Sequence, residues 1–266
     1  MNETIGVIGA GRMGLPIIGH LAKKGFQVFA TDINAAKRAE VESRGALWSP
    51  SLEALVNEAT LMLVCVGYDR ELRELFSAMK PKNGAIVAVL STVHPRTVQQ
   101  LAKEAEARGF SLVDSTVCRG GRAADQGTLL SFVGGPAPVV ERLTPVLRAY
   151  SSDVVHSGGV GSAQVAKAAN NLVLWACLVA DHEALALASR YGLDVEKLRQ
   201  ALLLSSAAND ALAKWGTQTM AWAEDDMAIV AEMAGECGLK LPQAGLNREL
   251  CRALKPRRYK LDEYGS

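Results

Sequence analysis

The chain predicts an α/β fold, an open, parallel, doubly wound sheet of the Rossmann type, followed by one long helix and an all-α domain. Three observations carry that expectation. Strand-like and helix-like stretches alternate through residues 1–158, the pattern of right-handed crossovers in a doubly wound sheet. A glycine-rich turn, Gly9-Ala10-Gly11-Arg12-Met13-Gly14, sits between the first strand and the first helix. From Gly159 to Tyr191, once two turn-making glycines have passed, neither Gly nor Pro occurs. That stretch reads as a helix of roughly 28 residues, about 42 Å at 1.5 Å per residue, more than twice the ordinary length.

The first element is the apolar run Ile5–Ile8, and the helix Leu15–Lys24 follows the glycine turn until Gly25 stops it. Phe26–Ala30 is the second strand, ending at Thr31-Asp32. Strand, glycine turn, helix and strand make a Rossmann-type dinucleotide-binding unit. Gly9 permits the tight turn, Gly11 lets backbone approach a pyrophosphate, and Gly14 lets helix and sheet pack closely, with phosphate at the helix N-terminus. Asp32 is placed for a ribose 2′-hydroxyl and would repel a 2′-phosphate, so NAD is expected, with NADP possible. Lys37 and Arg38 are near enough to soften that preference, although a solvated helix face accounts for them more simply. The expected cofactor contacts are Gly9, Ala10, Gly11, Arg12, Met13, Gly14, Asp32, Val66 and Thr92.

The alternation continues. Ser51–Ala59 reads as a helix opened by a serine cap, Leu61–Val66 as a buried strand, Asp69–Met79 as a helix and Ala85–Leu90 as a strand. Ser91-Thr92 closes that strand, at the end where parallel sheets place ligands. Pro95 starts the helix that runs to Arg108, and Phe110–Val113 is the next strand. After it comes Asp114-Ser115-Thr116-Val117-Cys118-Arg119-Gly120-Gly121. A glycine pair in a polar loop at a strand end exposes N–H groups that suit a carboxylate. The same residues also read as a hairpin connection into Thr128–Val133 and the turn Gly134-Gly135.

The long stretch 159–191 is apolar nearly all round from Leu172 to Ala180, which implies burial on several faces. Lys167 and Asn171, one turn apart, share one face of its opening turns. Helices are expected over Val195–Leu204, Asn209–Met220, Asp225–Cys237 and Gln243–Leu254, making 192–266 an all-α domain whose tail from Lys255 is solvated.

Composition narrows the partners. With 266 residues, 49% hydrophobic, and a net charge of +1, nothing electrostatic points to nucleic acid or an anionic membrane. Five cysteines without a CxxC pair or metal-ligand spacing suit a reducing compartment. The N-terminus has no basic region before its apolar run, and polar residues bracket the apolar part of the long helix, so a soluble cytoplasmic protein is expected. A helix this long and apolar also predicts a homo-oligomer, a dimer or tetramer.

Taken together, G-A-G-R-M-G at Gly9–Gly14, S-T-V-H-P at Ser91–Pro95, the loop Asp114–Leu129, G-V-G-S-A-Q-V-A-K-A-A-N-N at Gly159–Asn171 and the run Asp225–Pro242 resemble the β-hydroxyacid dehydrogenase family. The resemblance spans nearly the whole chain. It implies hydride transfer between a nicotinamide cofactor and a small β-hydroxy acid or its semialdehyde, with Lys167 as catalytic acid/base. Substrate contacts are then expected from Thr92, Val117, Cys118, Arg119, Gly120, Gly121 and Asn171, with no metal. Three departures stand out. The family loop usually reads Ser-Gly-Gly where this chain has Cys118-Arg119-Gly120, which adds a cation and implies either a second anionic or strongly polar group on the substrate or a pocket for something other than a simple 3-hydroxy acid. Asp225 stands where the family commonly has a lysine, while Asp226 keeps the motif's carboxylate. The segment between Ser205 and Asp225 is several residues short, so a wall of the pocket should be reduced. The alternatives on the same scaffold are an imine reductase and a non-catalytic NAD-binding module.

Overall fold

Strand sequences that are apolar at every position need cover on both faces, and the computed structural model, which describes residues 3–264, supplies it. The chain runs β1 (Thr4–Ile8), α1 (Gly14–Lys23), β2 (Gln27–Thr31), α2 (Arg38–Ser43), β3 (Leu47–Trp48), α3 (Leu52–Glu58), β4 (Leu61–Val64), α4 (Asp69–Ala78), β5 (Ile86–Val89), α5 (Pro95–Ala107) and β6 (Ser111–Asp114). It continues through β7 (Val117–Cys118), α6 (Gly120–Gln126), β8 (Leu129–Gly134), α7 (Ala137–Leu147), β9 (Ser151–Gly158) and the long α8 (Ser162–Arg190). Helices α9 (Val195–Leu202), α10 (Asp210–Ala213), α11 (Ala223–Glu236) and α12 (Pro242–Leu254) follow. Two compact units result, divided within α8 between Lys167 and Ala168.

In the first unit the sheet order is β3-β2-β1-β4-β5-β6-β8-β7, with β9 on β8. From β3 to β6 every pairing is parallel. The order reverses between β1 and β4, and such a switch point opens a crevice at the carboxyl ends of the strands. Side-chain alternation feeds two cores. Leu61, Leu63, Ile86 and Ala88 join one apolar cluster, while Met62, Val64, Val87 and Val89 join the other, as the two-residue period of a strand requires.

Three expectations are corrected and one strand is added. The sheet is not parallel throughout, because β8 runs antiparallel to β6 and β7. Residues 151–158, unassigned from sequence, form strand β9 beside β8, their polar side chains largely exposed at the sheet edge. The expected helix Asn209–Met220 shrinks to Asp210–Ala213, since Gly216 and Met220 both take positive φ, 86° and 57°, which a helix cannot hold. The tail is not merely solvated: Tyr259 and Tyr264 pack on the second unit's core, and the Tyr264 hydroxyl donates to Glu183 over 3.0 Å. Its last two residues lie outside the described residues.

That second core gathers Trp175, Leu178 and Val179 of α8 with Met227, Val230, Cys251 and Leu254. Helix α8 is apolar enough to cross a membrane by composition, with a mean hydropathy of 1.5 over its best window. Two of its polar side chains are bonded within the second unit. Asn209 donates to Asp181 over 2.9 Å, and the His182 ring is enclosed by Trp215, Tyr259 and Tyr264. Nδ1 of His182 lies 2.7 Å from the Leu178 carbonyl and Nε2 accepts from the Tyr259 amide at 2.9 Å, which specifies the neutral ring.

Burial lowers the pKa of His182 from its ordinary 6.5. The folded form therefore binds fewer protons than the unfolded one just below that value. The stabilisation is complete above pH 6.5 and is lost as pH falls through the lowered folded value. Urea midpoints between pH 5 and 7.5 should drop on the acid side, and His182→Phe should flatten that slope.

Candidate active site

The glycine turn shows three different local demands. Gly9 has φ 99°, and a Cβ there would run into the Cys65 carbonyl oxygen. A Cβ on Gly14 would strike the Gly9 carbonyl oxygen, so helix α1 can start where it does only because that position is bare. Around Gly11 no atom lies within 4 Å of the position a Cβ would take, which leaves room above the turn. Oδ2 of Asp32 accepts from the Ala10 amide at 2.6 Å and Oδ1 from the Asn34 amide at 2.8 Å, so this carboxylate braces the turn from the end of β2. Open space over Gly11, a helix N-terminus without acids in its first turn and a carboxylate at the end of β2 fit a nicotinamide dinucleotide. Met13 packs against the core, so any part it plays there is through its backbone.

Lys37 and Arg38 pair with Glu40 and Glu42 on their own surface turns, the solvated-face alternative. Arg12 forms a two-pronged ion pair with Asp125, at 2.8 and 2.7 Å, and its guanidinium lies against Gly121, where a Cβ would sit 2.5 Å from Cζ. It thus joins the glycine turn to α6. Beside the turn, burial pushes the Cys65 thiol up to about 12, which keeps it protonated and unreactive.

The opening of α8 is sewn to the carboxyl ends of the strands. Asp114, fully buried at the end of β6, accepts from the Gly161 amide at 2.7 Å and from the Gln164 amide at 3.0 Å. The helix has no acid in its own first turn, so Asp114 supplies the cap from a distant strand. Burial raises the Asp114 pKa, and the two amides act against that rise. The Thr116 hydroxyl donates to the Ala163 carbonyl over 2.9 Å. Gln164 meets both Ser91 and Val93, on either side of Thr92, and the Ser91 hydroxyl donates to the Val66 carbonyl at 2.8 Å. Neither Asp114 nor Gln164 received a role from sequence. The available signals were a helix opening without its own cap and a glutamine among apolar neighbours.

Lys167 closes this arrangement. Its Nζ donates to the Val117 carbonyl over 2.8 Å, which puts the amine on the 117–121 segment. Thr92, Val117 and Lys167 are thus linked through backbone and buried side chains of one unit.

The 117–121 segment differs from a loop: Val117 and Cys118 pair with Ser131 and Leu130 of β8, and Gly120 and Gly121 begin α6. Cys118 is buried. Arg119 takes φ 81° and Gly120 φ 74°. A non-glycine residue in that region costs roughly 1–2 kcal/mol, at the position where the family has glycine. Arg119 was expected to aim at the substrate; its guanidinium reaches Asp153 at 2.7 Å, Ser152 at 2.8 Å and the Thr128 carbonyl at 3.1 Å, which pairs it with the edge strand β9.

Asn171, also expected at the site, lies in the first turn of the second unit, buried, and accepts from Asn170 at 2.9 Å. Within that unit Asp226 accepts from the Trp175 indole at 2.9 Å and so fastens α11 to α8, while Asp225 is exposed.

These features define a nicotinamide-nucleotide-dependent oxidoreductase, and the comparisons agree. Residues 4–159 match the family described as the NAD-binding domain of 6-phosphogluconate dehydrogenase, and residues 161–263 match the NAD-binding domain of NADP-dependent 3-hydroxyisobutyrate dehydrogenase. The chain belongs to the β-hydroxyacid dehydrogenase family. It is 30% identical to 3-hydroxyisobutyrate dehydrogenase of Pseudomonas aeruginosa over 213 residues, 78% of this chain and 72% of that one. Its fold resembles the Mycobacterium tuberculosis 3-hydroxyisobutyrate dehydrogenase solved with L-serine, with a TM-score of 0.88 and 21% identity over 97% and 95% of the two chains. It also resembles an imine reductase variant from Myxococcus stipitatus in complex with NAD+, with a TM-score of 0.71 and 18% identity over the same shares.

Proposed function

We propose that the chain interconverts a small β-hydroxy acid and its semialdehyde, with Lys167 as the proton donor and acceptor. The observation that carries this reading is the Lys167 Nζ–Val117 O bond of 2.8 Å, which holds the amine beside the segment that grips substrate in the family. Bound at the glycine turn, the nicotinamide cofactor supplies or accepts the hydride. Lys167 takes the hydroxyl proton in the oxidative direction and returns it in the reductive one. One of its N–H groups is committed to Val117, leaving its other valences for the substrate oxygen. Amide groups of Gly120 and Gly121, at the start of α6, hold the substrate carboxylate, and Thr92 completes its grip. Asp32 selects NAD over NADP by offering its carboxylate to the ribose hydroxyls.

The protein acts as a cytoplasmic homo-oligomer in this account. Val173 and Leu187 of α8, and Tyr191 just beyond it, are exposed apolar side chains, which supports cover by a second copy. None of the five cysteines forms a disulfide among the described residues, which supports a reducing compartment.

A panel of short hydroxy acids, semialdehydes, 2-keto acids and cyclic imines, run with NAD(H) and NADP(H) side by side, tests the assignment. Turnover of a β-hydroxy acid or its semialdehyde with NAD(H) is the expected result. Turnover of imines alone would move the chain to C=N reduction, and cofactor binding without any turnover would make it a non-catalytic module.

A further inference from the structure

We propose that Gln164 is a positioning residue: its buried carboxamide holds Thr92 in place relative to the helical turn that carries Lys167. The inference rests on the reading of Lys167 and Thr92 given above.

Ladder bonding of β5 ends near Leu90, whose amide donates to Val64 at 2.8 Å. Beyond that point no strand takes over. Gln164, 1% exposed, does so instead: Nε2 donates to the Ser91 carbonyl at 2.9 Å, and Oε1 accepts from the Val93 amide at 3.0 Å. These are the two backbone groups that flank Thr92, bonded as a neighbouring strand would bond them. The backbone on both sides of Thr92 is thereby fixed, which sets where its hydroxyl can reach. Gln164's own amide is held by Asp114 at 3.0 Å, so the clamp is anchored to β6 as well as to β5. Three residues further along α8, on the same face, stands Lys167.

The residue type follows from the task. One donor and one acceptor are needed at the spacing of a peptide group, and a carboxamide provides both without a charge near the Lys167 amine. Glutamate lacks the donor and would face the Ser91 carbonyl with a second acceptor. Leucine fills the volume and leaves both backbone groups unpaired, a costly state in a buried place. Packing alone would have been met by an apolar side chain.

The test uses Gln164→Leu, Gln164→Glu and Thr92→Ala in the full chain. Hydrogen exchange comes first: Gln164→Leu should lower protection of the Val93 amide by about tenfold or more, while the Gly161 and Gln164 amides, held by Asp114, keep theirs and report an intact helix start. With the substrate found on the panel, Gln164→Leu should lower kcat by about 10–100-fold, the scale of a small misplacement, with a much smaller change in KM. Gln164→Glu should fall between the leucine variant and the parent. Combined with Thr92→Ala, the loss should be clearly less than the product of the two single losses, since both act through one residue. Multiplicative losses, or unchanged Val93 protection, would overturn the proposal. If the parent chain turns over nothing on the panel, the assigned chemistry fails separately. The cycle is then read in NADH affinity, where non-additive losses support the clamp and independent ones refute it.

Discussion

Replacing Lys167 by alanine should lower kcat by about 10³-fold, within the 10²–10⁴ that a positioned acid/base contributes, while NADH still binds. The two halves of that expectation have different structural origins. In the proposed function cofactor binding draws on Gly9, Gly11, Gly14 and Asp32; Asp32 accepts from the Ala10 and Asn34 amides, and neither bond involves the lysine. Proton transfer draws on the amine itself, whose bond to Val117 ties it to the substrate segment. Stopped-flow turnover and NADH fluorescence titration separate the two. A variant that keeps most of its kcat would remove Lys167 from the chemistry, and one that loses NADH affinity in proportion would make it a cofactor residue.

The second large effect belongs to Asp114. Alanine there leaves the buried Gly161 and Gln164 amides without their acceptor, at about 1–3 kcal/mol each. Part of this is offset because a carboxylate no longer has to be buried, so a net loss of about 2 kcal/mol is expected in urea unfolding. Asparagine, which retains one acceptor oxygen, should cost less. Activity should fall with both, because the turn bearing Lys167 loses its tie to β6. A loss under about 0.5 kcal/mol for alanine, the range of an ordinary surface change, would mean that the helix start is held by other contacts.

Sequence reasoning located what depends on local chemistry. The glycine turn was readable because Gly14 answers to Gly9 within the same turn and Gly11 to open space, and the sheet strands because their apolar runs are covered on both faces. Ser51 caps α3 through the Ala54 amide as its position suggested. What escaped depends on partners far along the chain. Asp114 meets amides 47 and 50 residues on, and Gln164 reaches back 73 residues to Ser91. No local pattern announces such pairs. The partner of Arg119 escaped for the same reason: Asp153, which pairs with its guanidinium, lies 34 residues away. The edge strand β9 lacked an apolar alternation because much of it faces solvent, and the tail was discounted because its charges conceal Tyr259 and Tyr264.

Chemical rescue addresses the central claim most directly. Lys167→Ala, saturated with NAD and the hydroxy acid found on the panel, should regain turnover on addition of small primary amines. The rate should rise linearly with amine concentration and depend on amine basicity, because the missing group is a proton acceptor. A folded, cofactor-binding variant that stays inactive across that amine series, or one that was never impaired, would contradict the assignment of Lys167 as the acid/base.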